Sequence, residues 1–335
     1  MKISLNIRAP GSTPDVDEFR EIMRRAERAG VSCVGAGESM SHESFTIAGL
    51  IAADTSSMRV GLSMINPITR LPGTVAAALA SLNYISRRRA YLIIARGDGA
   101  VHNAGYTPAK VETARAYFLA IRELLESAET TYKSRHIVMR SPLKEWGPGI
   151  PLGFVAEGPR MLQLAGELGD LVQVGAGFTR EVVEDSLERI RDGAHESGRS
   201  LDDLEIWWGG RFRLARTTKE AVEHPSTLTS LASMGNHALR GDFVEKRVPA
   251  ELHERLAEYH LGFDYARKGG AENVALMQRL GLTDYFAERF GIIGGPDAVV
   301  ARLRHLESLG VQNIELGARR LADMDLLEDV IRAVV

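Results

Sequence analysis

The chain has 335 residues, of which 44% are hydrophobic and 25% are charged, a balance that is typical of a folded globular protein and excludes a disordered or collagen-like chain. Lys and Arg number 41 against 44 Asp and Glu, for a formal net charge of -3, so the chain lacks the overall positive field that favours binding to nucleic acid or to an acidic membrane surface. The single cysteine, Cys33, excludes an intrachain disulfide and a cysteine-based metal site.

The beginning of the chain and its longest apolar runs bear on its location. The apolar stretch within residues 1–7 is too short for a secretory signal peptide. No segment approaches the ~20 consecutive apolar residues that span a bilayer. These features predict a cytoplasmic protein that has no membrane partner.

Short runs rich in β-branched residues alternate along the chain with longer amphipathic runs. Most of the short runs lack the alternation of a half-exposed strand, which indicates parallel strands covered by helices. Strands are predicted at residues 3–7, 31–36, 59–65, 90–95, 151–156, 170–175, 204–214 and 311–317. Helices are predicted at residues 16–29, 73–85, 111–127, 159–168, 180–197, 297–309 and 323–334, with a weaker candidate at 44–55. Repeated strand–helix units joined by right-handed crossovers favour an α/β fold of the (β/α)8 TIM-barrel type over an open sheet.

Two stretches do not fit the repeating unit. Residues 128–150 carry prolines and large aromatic residues, which indicates a loop or hairpin insertion. Residues 224–290 are polar, partly helical and poor in strands, so they would form a long excursion after the seventh strand. Because loops at the carboxyl end of a barrel carry function, we predict one domain over residues 1–335 in which residues 224–290 form a lid over the active site.

The carboxyl ends of the predicted strands, where barrel chemistry is located, offer glycines, arginines, carboxylates and aromatic residues. They contain no Ser-His-Asp set, no lysine placed for a Schiff base and no metal-binding cluster, so no metal is predicted. Such an inventory suits a large, flat, anionic cofactor that carries the chemistry itself.

Four segments carry a resemblance to a known family. They are RVGLSMINPITR at 59–70, SRRRAYLIIARGDGAV at 86–101, AEGPRMLQLAGELG at 156–169 and IGGPDAVVARLRHLESLGVQNIEL at 293–316. In this order they resemble the bacterial luciferase-like flavin and deazaflavin oxidoreductases. The likeness covers almost the whole chain and thins at 129–150 and 224–285. The RGDGA stretch at 96–100 and the GNH at 235–237 are similar to the branch that contains methylenetetrahydromethanopterin reductase, often assigned to coenzyme F420.

The resemblance implies where a cofactor ring would lie. The family has a non-prolyl cis peptide at the end of the third strand, here Ser63–Met64, which supports one face of the ring. Local sequence by itself would favour an ordinary trans strand end. The further candidate cofactor-binding residues are Ser39, Asn66 and Arg96.

The resemblance also implies a site for the cofactor phosphate. Gly158 precedes a proline that opens a helix directly after a strand, and the free N–H groups of such a helix end bind phosphate. The backbone of Glu157 and Gly158 is the expected site, aided by Gly177. The alternative is a helix cap that binds no ligand.

Three residues are candidates for catalysis. Asp98 matches the position at which some deazaflavin dehydrogenases carry a catalytic glutamate, and a carboxylate there can move a proton while hydride moves at the ring. Alternatively, Asp98 caps the following turn or pairs with Arg96. Glu38 matches the acidic residue that ends the second strand. The family often has histidine next, whereas this chain has Ser39, which leaves His42 as a candidate replacement or an ordinary loop histidine.

The candidate substrate contacts are Trp208, Arg211, Asn236 and His237. A strand has a side-chain period of two, so Arg211, Arg213 and Trp207 would share one face of the seventh strand. This face is either a basic wall for the anionic cofactor tail or a surface of packing and ion pairs. Asn236 and His237 either contact substrate or lie in a solvated loop.

These expectations define one main functional hypothesis and two alternatives. The main hypothesis is an F420-dependent oxidoreductase that transfers a hydride between the deazaflavin and a small organic substrate. One alternative is an FMN-dependent monooxygenase of the same fold, which uses oxygen and a separate flavin reductase. The other is a non-catalytic flavin-binding barrel, motivated by the missing histidine after Glu38. The resemblance also implies a homodimer.

Overall fold

The computed structural model describes residues 1–7, 15–38, 42–140, 143–267, 269–317 and 320–335. Within these residues the strands are β1 (Lys2–Ile7), β2 (Cys33–Ala36), β3 (Arg59–Ile65), β4 (Ala90–Ile94), β5 (Glu129–Tyr132), β6 (Arg135–Val138), β7 (Leu152–Ala156), β8 (Leu171–Val174), β9 (Glu205–Gly209), β10 (Arg211–Leu214), β11 (Gly291–Gly294) and β12 (Asn313–Gly317). The helices are α1 (Val16–Arg28), α2 (Ser44–Asp54), α3 (Pro72–Ile85), α4 (Gly99–Asn103), α5 (Val111–Ser127), α6 (Leu143–Trp146), α7 (Pro159–Leu168), α8 (Arg180–Glu196), α9 (Thr218–Glu223), α10 (Pro225–Ala238), α11 (His253–Gly262), α12 (Ala271–Arg279), α13 (Thr283–Phe290), α14 (Pro296–Ser308) and α15 (Met324–Val334).

Eight parallel strands close into a barrel in the order β1, β2, β3, β4, β7, β8, β9 and β12, and β12 pairs back to β1. Every residue of β2, β4 and β8 is buried, which explains why these strands read as unbroken apolar runs. The predicted (β/α)8 TIM barrel is confirmed. Because all eight strands run in one direction, their carboxyl ends meet at one end of the barrel.

The helices cover the barrel through apolar stripes on one face. In α1 the buried residues are Phe19, Ile22, Met23 and Ala26, at the spacing of a helix face that packs on a sheet. No helix in the described part of the chain is long and apolar enough to cross a bilayer.

The predicted strand 204–214 is wrong as a single element. The chain leaves the barrel after β9, and β10 pairs instead with β11 in a separate two-stranded sheet. The break falls at Gly210, where a Cβ atom would clash with the ring of Phe178 and lie 2.5 Å from the carbonyl oxygen of Phe290. Trp207 therefore stays in the barrel while Arg211 moves into the other sheet, and the face that they were expected to share does not form.

The two insertions have different architectures. Residues 128–150 contain the antiparallel hairpin β5–β6 and the short helix α6. Residues 224–290 contain α10 to α13, which pack around their own apolar cluster. Leu231, Tyr259 and Phe286 are its central members, each at most 2% exposed. The single-domain organisation and the role of residues 224–290 as a lid stay predictions.

Close contact with α8 fixes the position of α7, the helix that follows Gly158. A Cβ atom on Gly166 of α7 would clash with the carbonyl oxygen of Ile190 in α8, and one on Gly193 of α8 would clash with that of Gln163 in α7. The two backbones touch at these glycines, so the position of α7 depends on the absence of side chains there.

We therefore expect Gly166→Ala to lower the free energy of unfolding by about 2 kcal/mol or more, since the neighbour is rigid backbone. The matched control is Gly49→Ala in α2, where no atom lies within 4 Å of the added Cβ. That control should gain ~0.5 kcal/mol from its higher helix propensity. Urea denaturation of both variants measures the difference, and equal effects would contradict the close packing of α7 on α8.

Candidate active site

Polar side chains surround the end of β3 inside the barrel. The Ser63–Met64 peptide bond is cis, as the resemblance predicted, and the register with β4 shifts at this bond. The hydroxyl of Ser63 donates to Oε1 of Gln173 at 2.9 Å, and Oε2 of Glu315 lies 3.3 Å from it. Asn6 donates from Nδ2 to the other oxygen of Glu315 at 3.1 Å. We call the four residues joined by these hydrogen bonds, Ser63, Gln173, Glu315 and Asn6, the floor cluster.

The strand beside the cis bond has a glycine for a steric reason. A Cβ atom on Gly35 of β2 would clash with Cβ of Ser63 and lie 2.9 Å from the hydroxyl of Tyr91. Members of the floor cluster, together with Cys33 and Tyr91, line a cavity of about 20 Å³, and this volume is enough for one water molecule. Burial raises the pKa of the Cys33 thiol to about 12, so this cysteine is a neutral thiol and not a nucleophile.

Glu38 lies at the end of β2, where both of its carboxylate oxygens are engaged. It accepts hydrogen bonds from Nδ2 of Asn66 at 2.6 Å, Oγ1 of Thr69 at 2.9 Å and Nε of Arg70 at 2.8 Å. Its backbone N–H donates to the carbonyl oxygen of Met64 at 3.1 Å. Glu38 thus ties the end of β2 to the loop that follows the cis bond, an arrangement that favours a structural role.

A third group of side chains joins the ends of β4 and β7 to the 224–290 insertion. The hydroxyl of Tyr265 donates to Oδ1 of Asp98 at 2.5 Å. Nδ1 of His237 lies 3.7 Å from the same oxygen, and Nε2 of His237 lies 2.8 Å from Oε2 of Glu157. We call these four residues the mouth network. Their contacts bring together Asp98, Glu157 and His237, which sequence analysis had singled out separately.

The alternative roles predicted for Asp98 were to cap the following turn or to pair with Arg96, and the structure shows neither contact. It precedes α4, but its side chain makes no capping hydrogen bond to that helix. Arg96 is exposed and donates instead to the carbonyl oxygen of Ala109 at 2.5 Å. The contacts of Asp98 with Tyr265 and His237 are tertiary contacts.

The charges around Glu157 favour its ionised form. Burial raises the pKa of the Glu157 carboxyl, but His237, Arg211 and Lys246 outweigh burial and hold it below its ordinary value. A lowered pKa in the folded state contributes stability that is complete above the unfolded pKa of ~4.3 and is lost as the pH falls through the folded value. Burial lowers the pKa of the Lys246 ammonium, which the 224–290 insertion places near Glu157.

The helix that starts at the end of β7 has an open amino terminus. Gly158 is the N-cap of α7, no side chain caps this end, and no atom lies within 4 Å of where a Cβ on Gly158 would be. Free backbone N–H groups and the positive end of the helix dipole make such a terminus suitable for an anion. Gly177 has a φ of +126° and packs against Arg289, whose Cγ would lie 2.7 Å from an added Cβ. A phosphate contact of Gly177 stays a prediction.

Two candidate substrate contacts are buried in the structure. Neighbouring residues of a strand point to opposite faces, and Trp207 packs inside the barrel whereas Trp208 packs outside it, beneath the helices, at 1% exposed. Asn236 is fully buried, and its Oδ1 accepts hydrogen bonds from Arg240 of the same insertion. A substrate contact of Trp208 or Asn236 stays a prediction.

The remaining predicted residues are placed as follows. Arg211 begins β10, half-buried, with Nη2 3.1 Å from the sulfur of Met234. His42 lies just before α2 with a buried Nε2, and its catalytic role stays a prediction. Ser39 lies outside the described residues.

Sequence reasoning missed residues that the structure places at the site. Glu315 could have been proposed, because it lies at the carboxyl end of the eighth barrel strand. Tyr265 and Lys246 carry no local signal, since each lies in an irregular part of the 224–290 insertion. In the described part of the chain, no group of three or more His, Cys, Asp or Glu side chains could hold a metal ion.

Comparison with known proteins gives consistent matches over most of the chain. The model for the luciferase-like monooxygenase family matches residues 2–313. The 5,10-methylenetetrahydromethanopterin reductase of Methanopyrus kandleri is 28% identical over 292 residues, which cover 80% of this chain and 79% of the relative.

Solved structures show the same fold. The coenzyme F420-dependent tetrahydromethanopterin reductase of Methanopyrus kandleri superposes with a TM-score of 0.79 at 23% identity, covering 100% of this chain and 99% of that chain. A monooxygenase from Streptomyces bottropensis gives a TM-score of 0.66 at 18% identity, covering 99% of this chain and 98% of the other.

The charge balance of the mouth network can be measured directly. We expect His237→Ala to raise the pKa of Glu157, because the substitution removes the nearest group that favours its ionised form. The stabilisation that Glu157 contributes above its ordinary pKa should shrink accordingly. NMR titration of ¹³C-labelled glutamate carboxyls, with the Glu157 signal assigned by its absence in Glu157→Gln, measures the shift.

The control for this titration is His253→Ala. His253 belongs to the same insertion, but its ring contacts the carbonyl oxygen of Val248. The His253→Ala variant should therefore leave the titration midpoint of Glu157 unchanged. A Glu157 midpoint that stays constant in His237→Ala, or moves equally in both variants, would show that His237 does not set the charge of Glu157.

Proposed function

The chain belongs to the luciferase-like monooxygenase family, and we propose that within it this protein is an F420-dependent oxidoreductase that transfers a hydride between the deazaflavin and a small organic substrate. The observation that carries the proposal is the similarity to a methylenetetrahydromethanopterin reductase over 80% of the chain. The solved reductase structure with the same barrel is described as coenzyme F420 dependent.

The described residues fit a tricyclic cofactor with an anionic tail. Ser63 and Met64 would support the ring, with Asn66 and Arg96 as further cofactor contacts, and the backbone of Glu157 and Gly158 would hold the phosphate. The open amino terminus of α7 supports the second assignment. When bound, the deazaflavin supplies a ring carbon that gives or accepts a hydride, a chemistry that no amino-acid side chain provides.

The chain's own contribution is to orient the reactants and to move the matching proton. Asp98 suits this task, because its carboxylate lies at the strand ends with a side-chain exposure of 29%. Glu38 suits it less, since Asn66, Thr69 and Arg70 already occupy both of its oxygens. We therefore assign proton transfer to Asp98 and a positioning role to Glu38.

The substrate would be held between the barrel mouth and the 224–290 insertion, acting as a lid. His237 is one-third exposed and contacts both Glu157 and Asp98, which supports a place for it at the substrate. Arg211 lies near Glu157. Formation of a homodimer stays a prediction from the resemblance.

An FMN-dependent monooxygenase is the second candidate. It is favoured by the monooxygenases that share the fold, including the one with a TM-score of 0.66. This function would need oxygen and a separate reductase to supply reduced flavin. A non-catalytic flavin-binding barrel would bind the same kind of ring without turnover.

Direct titration distinguishes the cofactors. We expect the purified protein to bind F420 saturably at micromolar concentrations and FMN more weakly, as measured by the distinct absorbance and fluorescence of each ring. Saturable binding of FMN without detectable binding of F420 would overturn the first proposal in favour of the monooxygenase.

A pair of variants at one position controls the phosphate assignment in this titration. Asp and Asn both cap helices well and fit the extended N-cap backbone of Gly158, at φ -124° and ψ 161°. We expect Gly158→Asp to weaken F420 binding about 10-fold or more through charge repulsion, and Gly158→Asn to weaken it less. Equal binding by the two variants would place the phosphate elsewhere.

Turnover tests the role of Asp98. With the first substrate that the enzyme turns over, Asp98→Asn should lower kcat/KM about 10²-fold, the usual contribution of a general acid or base, while F420 still binds. Asp192→Asn, at an exposed position on α8, is the control and should behave like the wild type. Full activity of Asp98→Asn would remove Asp98 from the mechanism.

A further inference from the structure

Tyr265 is the residue through which the 224–290 insertion contacts Asp98 most closely. It lies between α11 and α12, and its hydroxyl is 2.5 Å from Oδ1 of Asp98. This is a short, charge-assisted hydrogen bond between residues far apart in the sequence. The contact therefore exists only when the insertion is seated on the barrel.

The loop that carries Tyr265 is built to hold it in place. Asn273 is 2% exposed and lies under this loop. Its Nδ2 donates to the carbonyl oxygens of Asp264 and Arg267, each at 2.9 Å, and its Oδ1 accepts from the backbone N–H of Asp264, also at 2.9 Å. A single buried amide thus fixes the backbone on both sides of Tyr265.

The ring of Tyr265 is also fixed by its neighbours. His102 of α4 packs against it edge-to-face, with ring centroids 4.9 Å apart. Phe263 packs against it at 6.4 Å, and the guanidinium of Arg240 lies 5.4 Å from the ring centroid. These contacts aim the hydroxyl at Asp98.

Several charged or titratable groups surround the Asp98 carboxylate. Tyr265 and His237 face it from the insertion, and His102 follows it on α4. Glu157 lies on the far side of His237, and Arg240 lies behind the ring of Tyr265. Burial raises the pKa of Tyr265, and the hydrogen bond to Asp98 raises it further. The proton therefore stays on the phenol, and Asp98 is the acceptor.

We propose that Tyr265 is a positioning residue that keeps Asp98 ionised and oriented as the proton acceptor while the insertion covers the mouth. The proposal rests on the proposed role of Asp98 as the proton-transfer group. Bound deazaflavin would supply the hydride acceptor, and Asp98 would take the proton that the substrate loses and give it back in the reverse direction. Asp98 is ready for this step only when the loop that carries Tyr265 is seated.

The experiment compares two tyrosine variants in the full-length, cofactor-free protein. Tyr265→Phe keeps the ring contacts and removes only the donor to Asp98. The matched control, Tyr259→Phe, removes a hydroxyl of the same insertion that donates to the carbonyl oxygen of Ala232 at 2.7 Å. NMR titration of ¹³C-labelled aspartate carboxyls follows Asp98, with its signal assigned by its absence in Asp98→Asn.

We expect the Asp98 midpoint to rise by about one pH unit or more in Tyr265→Phe, the size of losing one hydrogen bond to a charged group, and to stay unchanged in Tyr259→Phe. An unchanged midpoint in Tyr265→Phe, or equal shifts in both variants, would overturn the proposal.

Turnover gives a second readout. In Tyr265→Phe, the apparent pKa that the kcat/KM pH profile reports for Asp98 should rise by the same amount as the NMR midpoint. An apparent pKa that does not change would overturn the proposal. The NMR titration needs no cofactor, so it tests the role of Tyr265 separately from the proposed F420-dependent function. A protein that fails to bind F420 but shows the Asp98 shift would refute the proposed function alone.

Discussion

The contacts of His237 and Tyr265 with the carboxylates at the ends of β4 and β7 are the interactions on which the site depends. His237 lies 2.8 Å from Glu157, and Tyr265 lies 2.5 Å from Asp98. A parallel barrel brings strand ends from distant parts of the chain to one rim, but it leaves their carboxylates facing solvent. The 224–290 insertion supplies Tyr265 to Asp98 and His237 to both carboxylates, and so brings two separate acidic residues into one network of contacts.

Rigid packing beneath the rim supports this network. The floor cluster joins Ser63, Gln173 and Glu315 across the interior of the barrel, and Gly35 leaves room for that approach. Glu38 ties β2 to the loop after the cis bond through three hydrogen bonds. Polar groups inside a barrel are costly unless they are paired, and most of these polar atoms satisfy one another.

The sequence was sufficient to predict the elements whose signals are local. The run AYLII of β4 reads as a buried strand by itself, and the ends of such strands located Asp98 and Glu157. The break at Gly210 could not be predicted, because it depends on Phe178 and Phe290, which are distant in the chain. Which of the adjacent residues Trp207 and Trp208 faces the barrel interior depends on strand register, and no local pattern in the sequence fixes that register. Tyr265 reaches Asp98 only through the tertiary packing of its loop.

Glu157 shows how the insertion also sets the electrostatics of the rim. A carboxylate beside the amino terminus of α7 would repel an anion bound there. His237, Arg211 and Lys246 surround it and hold its pKa low, so these side chains offset the charge of the Glu157 carboxylate. Two of these, His237 and Lys246, come from the insertion. An anion bound at the end of α7, as proposed above, would therefore gain from the side chains of the insertion, and by linkage such an anion would favour the arrangement in which the insertion contacts Glu157.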